Sequence, residues 1–114
     1  MTSGEFANFP TSTTFDLPGY TVERTLGISW GLMVRSVGFA KGFSGAIRSL
    51  KAGEVSQYTD VVDAARETAV ERLITHVQQK GGNAVLGLRF DSSDVAEGLA
   101  EVIAYGTAAV VRPI

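Results

Sequence analysis

Cysteine is absent from all 114 residues. Its absence excludes disulfides, zinc-thiolate sites and thiol nucleophiles together. A cysteine-free chain suits a reducing compartment, and a cytoplasmic location is expected. Histidine is nearly as scarce, with His76 alone, so no histidine pair can form within one chain. Charge is thin as well. Charged residues are 19% of the chain, against the roughly 25% usual in soluble domains. The net charge of −2 exerts no global pull toward nucleic acid or an anionic membrane, and argues against both as partners. The first 14 residues lack the basic and apolar regions of a signal peptide. No run reaches the ~18 uninterrupted apolar residues of a membrane-spanning helix.

Apolar residues are plentiful, at 45%. A small domain with few charges struggles to cover its surface with polar groups, which raises the expectation of self-association. The length fits one domain. Residues 1–19, punctuated by Pro10, Pro18 and Gly19, read as a flexible N-terminal arm. Residues 20–114 read as the single folded domain. Phe6, Phe9 and Phe15 in the arm suggest that part of it packs on the body or on a neighbouring subunit.

From Tyr20 to Arg35 one parity carries Val22, Leu26, Ile28, Trp30, Leu32 and Val34, the alternation of a half-buried strand. Gly27 and Gly31 sit on the other parity, where a bulge or the close approach of another backbone is expected, with a bend near Gly27. Residues 36–53 are glycine-rich, and Phe43, Ala46, Ile47 and Leu50 are spaced for a helix of about two turns. A long helix is predicted from Val55 to Lys80 by the stripe Tyr58, Val61, Val62, Ala65, Ala69, Leu73 and Val77, with Gly81 and Gly82 as its left-handed cap. A strand over Ala84–Asp91, a polar turn at Ser92–Gly98 and a last strand over Leu99–Arg112 complete the chain. The last strand is apolar on both parities and needs cover on both faces. Helices can shield one face; a second subunit is the candidate for the other. The order of elements predicts an α+β fold, an antiparallel sheet packed on one side by one long and one short helix.

The segments YTVERTLGISWGLMVRS, GFSGAIRSLKAGEVSQYTDVVDAAR, GGNAVLGLRFD and EVIAYGTAAVV together resemble the YbjQ-like family, also called the "putative heavy-metal-binding" domain family. The likeness runs from about Tyr20 to Arg112. It implies a dodecin-like fold assembled as a homopentameric ring.

For soft metals, which want thiolate or imidazole ligands, the chain offers only His76, which also reads as a solvated or capping histidine. Asp91 and Asp94, with Glu97 and Glu101 near the expected turn, offer oxygen to a hard cation but match no calcium loop. No acid occurs between Glu23 and Glu54, whereas Arg24, Arg35, Lys41, Arg48 and Lys51 do. A glycine-rich loop with cations suits a small anion, for which Lys41 and Arg48 are the first candidates. These cations also suit the plainer task of balancing the acids of the long helix. Tyr58, Arg66 and Asn83 fall in the family-like segments and are candidates for a structural polar cluster. No serine has the context of a nucleophile. The expectation is therefore a non-catalytic module that binds a metal ion or small anion at subunit interfaces or in the glycine-rich loop. The alternative is a scaffolding ring that docks a protein partner through residues 1–19. The ligand's identity is not legible.

Overall fold

The computed structural model describes residues 8–36, 56–96 and 99–114. The expected short helix, with Lys41 and Arg48, lies outside the described residues. Strand β1 (Tyr20–Ser36) leads to helix α1 (Ser56–Gln79), then to β2 (Ala84–Ala96) and β3 (Leu99–Pro113). The sheet order is β1-β3-β2, with both pairings antiparallel. β1 and β2 therefore run in the same direction with β3 between them, a split β-α-β unit. The fold class is α+β, as predicted.

β1 is irregular where its glycine suggested. Its register with β3 shifts between Val22 and Arg24 and again between Thr25 and Gly27, and Gly27 has φ +91°, which glycine adopts without a Cβ penalty. The bulges split the apolar parity. Leu26 packs on the cluster under the helix, whereas Val22 packs on the opposite face. Beyond Gly27 the alternation resumes, with Ser29 and Gly31 buried and Ile28, Trp30, Leu32 and Val34 exposed. The expected half-buried face of β1 is thus the open one, because the helix lies on the glycine side.

Gly31 explains that choice. A Cβ there would collide with the backbone of Ala69, Arg72 and Leu73, so α1 rests directly on the strand. Ala65, Ala69, Leu73 and Val77 of the predicted stripe are buried, joined by Ile74, while Val62 stays exposed. Opposite them Ala104, Ala108 and Val85 complete the core. Small residues allow the close approach, and Leu73 and Val77, fully buried, each contribute roughly 1.5–3 kcal/mol by leaving water.

The helix ends as predicted. Gly81 has φ +91° and donates to the Gln78 carbonyl at 3.0 Å, and Gly82 donates to the Val77 carbonyl at 2.9 Å. This pair of bonds is the Schellman arrangement, which satisfies carbonyls that the helix leaves open.

Two expectations need correction. Residues 92–96 continue β2 and pair with β3 as far as Ala96 opposite Leu99, so no loose turn begins at Ser92. The ladder supplied by β3 outweighs the turn preference of Ser92, Ser93 and Asp94. The second concerns the flexibility expected of the N-terminal arm, part of which packs on the body as its phenylalanines suggested. From residue 8 onward it is tied to the outer edge of β2. Thr11 bridges Val85 in parallel. Val85 donates to the Pro10 carbonyl, Ser12 to the Val85 carbonyl, Leu88 to the Ser12 carbonyl and Gly87 to the Thr14 carbonyl. Phe9 packs on the helix-side cluster and Leu17 on the opposite one, with Ala84, Leu86, Ala109 and Val111. The arm thus wraps the edge of the sheet and shields the lower half of its far face.

Two substitutions check this packing by urea denaturation. Gly31→Ala is expected to cost about 3 kcal/mol or more, since the clashing atoms are backbone and cannot yield. Ser29 is fully buried and its hydroxyl has no partner, so Ser29→Ala is expected to stabilise by about 1 kcal/mol. A neutral Gly31→Ala would refute the contact between helix and strand.

Candidate functional site

Among the described residues, the far face of the sheet keeps an uncovered apolar strip. Ile28, Trp30, Leu32 and Val34 of β1 stand opposite Thr107, Tyr105, Ile103 and Glu101 of β3, and directly opposed residues share a face. Ile28 is 67% exposed, Trp30 48%, Val34 49% and Tyr105 38%. The strip begins where the cover supplied by Leu17 ends. Its β2 margin is polar, with Arg89 opposite Tyr105 and Asp91 opposite Ile103. An apolar centre with a polar rim is the anatomy of a protein interface.

The edges of the sheet are partly occupied. The arm takes that of β2 over Val85–Leu88. Along β1, Arg72 Nη1 donates to the Leu32 carbonyl at 2.8 Å. The Trp30 N–H donates to His76 Nδ1 at 3.3 Å, and Lys80 Nζ donates to the Ile28 carbonyl. The Trp30 and His76 rings lie 4.7 Å apart, tilted by 47°.

On the helix side an open cleft of about 280 Å³ is lined by Asp63, Arg66, Glu67, Val70 and Phe90. The Arg66 guanidinium lies 5.2 Å from the centre of the Phe90 ring, a contact worth about 0.5–1 kcal/mol at an exposed site. Its polar groups are two carboxylates and a guanidinium, a set for hard ions or small polar molecules rather than soft metals.

The residues singled out from sequence do not assemble into one site. His76 accepts a backbone N–H at the edge of β1. Asp91 and Asp94 are three residues apart on β2, so they point to opposite faces, and Asp91 accepts from the Ser92 N–H at 2.8 Å. Among the described residues no group of three His, Asp or Glu could hold a metal ion. Arg66 and Asn83 do not share a cluster. About 20 Å of helix separates Arg66 from the end of α1 that precedes Asn83. Asn83 instead pins β3, its Nδ2 donating to the Val111 carbonyl at 3.0 Å and its Oδ1 accepting from the Val111 N–H at 2.8 Å. Tyr58 lies in the first turn of α1, and its side chain is outside the described part. Sequence reasoning missed Arg72, Lys80 and Phe90. The regular spacing of Arg72, His76 and Lys80 along one line of the helix was the available signal.

The family model that matches the chain is YbjQ, described as "putative heavy-metal-binding", over residues 9–112. A UPF0145 protein of Burkholderia thailandensis is 45% identical over 97 residues, covering 85% of this chain and 87% of that protein. The chain belongs to the YbjQ-like family. A UPF0145 protein of Methanoregula boonei is also 45% identical over 97 residues, covering 85% of this chain and 81% of its own length. Among solved structures, a DUF74-family protein of unknown function from Pediococcus pentosaceus superposes with a TM-score of 0.57 at 16% identity, over 90% of this chain and 96% of that one. The YbjQ match begins at residue 9, so it takes in the arm segment that pairs with β2. No described helix is long and apolar enough to cross a membrane. The metal in the family's description finds no fitting donor set among the described residues of this YbjQ-like chain.

The separation of Arg66 from Asn83 is testable by chemical denaturation. Asn83→Ala leaves a strand N–H and carbonyl unpaired and is expected to cost about 1–3 kcal/mol. Arg66→Ala is expected to cost under about 1 kcal/mol. The double variant should show the sum within about 0.5 kcal/mol; a larger coupling would place the two in one network after all.

Proposed function

We propose that this YbjQ-like protein is a non-catalytic binding module that works as a homo-oligomeric ring, with five subunits as the resemblance to its family implies. The observation that carries the reading is the strip of Ile28, Trp30, Leu32 and Val34. Among the described residues it is left open on a sheet whose other face is packed by α1 and whose edges are taken in part, by the arm at Val85–Leu88 and by helix side chains at Leu26–Leu32. A copy of the chain docking on this face buries the strip and turns the polar margin at Arg89 and Asp91 into a rim.

The ligand is a hard metal ion or small anion, taken where subunits meet or at the glycine-rich segment. Lys41 and Arg48 are the cations available to an anion there. Soft metals fit poorly, because the chain has no cysteine and its one imidazole is engaged by Trp30. A scaffolding ring that docks a protein partner is the second reading. Phe15 favours it, being 78% exposed on an arm segment that lies along the body.

Native mass spectrometry tests the assembly. The wild-type chain is expected as a multimer, and Ile28→Glu with Leu32→Glu as a monomer with unchanged far-UV circular dichroism. Because both positions are exposed in the subunit, the change should cost the fold itself under about 0.5 kcal/mol each. A wild-type monomer would overturn the ring. For the ligand, phosphate is expected to raise the melting temperature of the wild type but not of Lys41→Ala with Arg48→Ala. If neither phosphate nor divalent metals shift it, the scaffold reading prevails.

A further inference from the structure

In an antiparallel sheet, an edge strand turns part of its N–H and carbonyl groups outward, where they form a template for another strand. In β1 such groups are met by one row of side chains on α1. Arg72 takes the Leu32 carbonyl and His76 takes the Trp30 N–H. Lys80 takes the Ile28 carbonyl and reaches the Leu26 carbonyl at 3.4 Å. The row descends the helix as the strand positions descend from 32 to 26, so helix and strand run antiparallel. The two spacings match. Four helical residues rise about 6 Å, and two strand residues about 6.6 Å. Each helical step therefore meets the next outward-facing strand residue, and the Trp30 ring packs on His76 within the row.

We infer that Arg72, His76 and Lys80 form an edge guard that keeps β1 from pairing with a strand of a second copy. Two of the three are cations, and an incoming strand would have to displace and desolvate both before reaching the backbone. The guard acts independently of the ring reading, because it concerns the edge of β1 and not the sheet face. It is made possible by the position of α1, which rests on the edge strand at Gly31 while packing on Ala104 and Ala108 of the middle strand.

The test compares Arg72→Ala with Lys80→Ala, the single variant His76→Ala, and a control pair on the same helix, Gln78→Ala with Gln79→Ala. None touches the buried Leu73 or Val77. In His76→Ala, amide exchange at Trp30 is expected to quicken at least several-fold while that at Ala104 and Ala108 is unchanged. The Arg72/Lys80 variant, incubated at 37 °C with thioflavin T, is expected to form β-aggregates with a several-fold shorter lag than the wild type or the control. Exchange protection in those aggregates should extend to the Ile28 and Trp30 amides. The variant is more acidic than the wild type's net −2, so reduced charge repulsion cannot produce that result. A folded Arg72/Lys80 variant with the control's lag, or aggregates that leave Ile28 and Trp30 unprotected, would overturn the inference. If the double variant does not fold, Lys80→Ala alone carries the same comparison, and an unchanged lag there overturns it equally.

Discussion

The contact that the rest of the structure depends on is the one between Gly31 and the backbone of α1 at Ala69 and Leu73. A side chain at residue 31 would lift the helix away from the strand. Without one, the helix settles onto a floor of small residues, among them Ser29, Ala104 and Ala108, and its own Ala65 and Ala69 face that floor. A floor of small residues has no room for the bulky residues of β1. Ile28, Trp30, Leu32 and Val34 therefore occupy the other face, and the same close approach brings Arg72, His76 and Lys80 within reach of the edge of β1.

Two partial covers follow from this arrangement. The helix seals one face around Leu73 and Val77. The N-terminal segment, held by backbone bonds to Val85, Gly87 and Leu88, seats Leu17 over Ala84, Leu86, Ala109 and Val111 and seals the lower half of the other. What remains is bounded: an apolar strip along β1 and β3, with Arg89 and Asp91 at its margin. The edge of β1 from Leu26 to Leu32 and that of β2 from Val85 to Leu88 are occupied, which disfavours growth of the sheet there; association through the face would remove the strip from water. At about 25 cal/mol per Å² of apolar surface buried, a strip of several large side chains would contribute substantially to the subunit contact proposed above.

Much of this was legible in the sequence because glycine and alternation report directly on backbone geometry. Gly27 and Gly31 announced a bulge or a close approach without saying which was which, and Gly81 with Gly82 announced the end of the helix. The two-sided character of β3 announced that one helical layer was not enough. The sequence could not show which face of β1 the helix chooses, since alternation gives parity and not direction. The bulges then sent Leu26 to the side opposite Val22. The pairing of residues 10–14 was hidden because it rests on backbone bonds to a distant strand, and Thr and Ser runs carry no period. His76 looked like a ligand candidate in one dimension and proved to be an acceptor for Trp30, a role set by where β1 lies in space. Asn83, marked as part of a polar cluster, instead bonds the backbone of Val111.

Trp30, the only tryptophan in the chain, stands in the uncovered strip and reports on it directly. Its fluorescence emission, followed by dilution from high to low micromolar concentration alongside the molar mass in solution, tests whether that strip is an interface. The account predicts a blue-shifted, water-shielded emission in the assembled protein that moves to the red as the mass falls to that of one subunit. Emission typical of a solvent-exposed indole at every concentration, with the mass of one chain throughout, would contradict it.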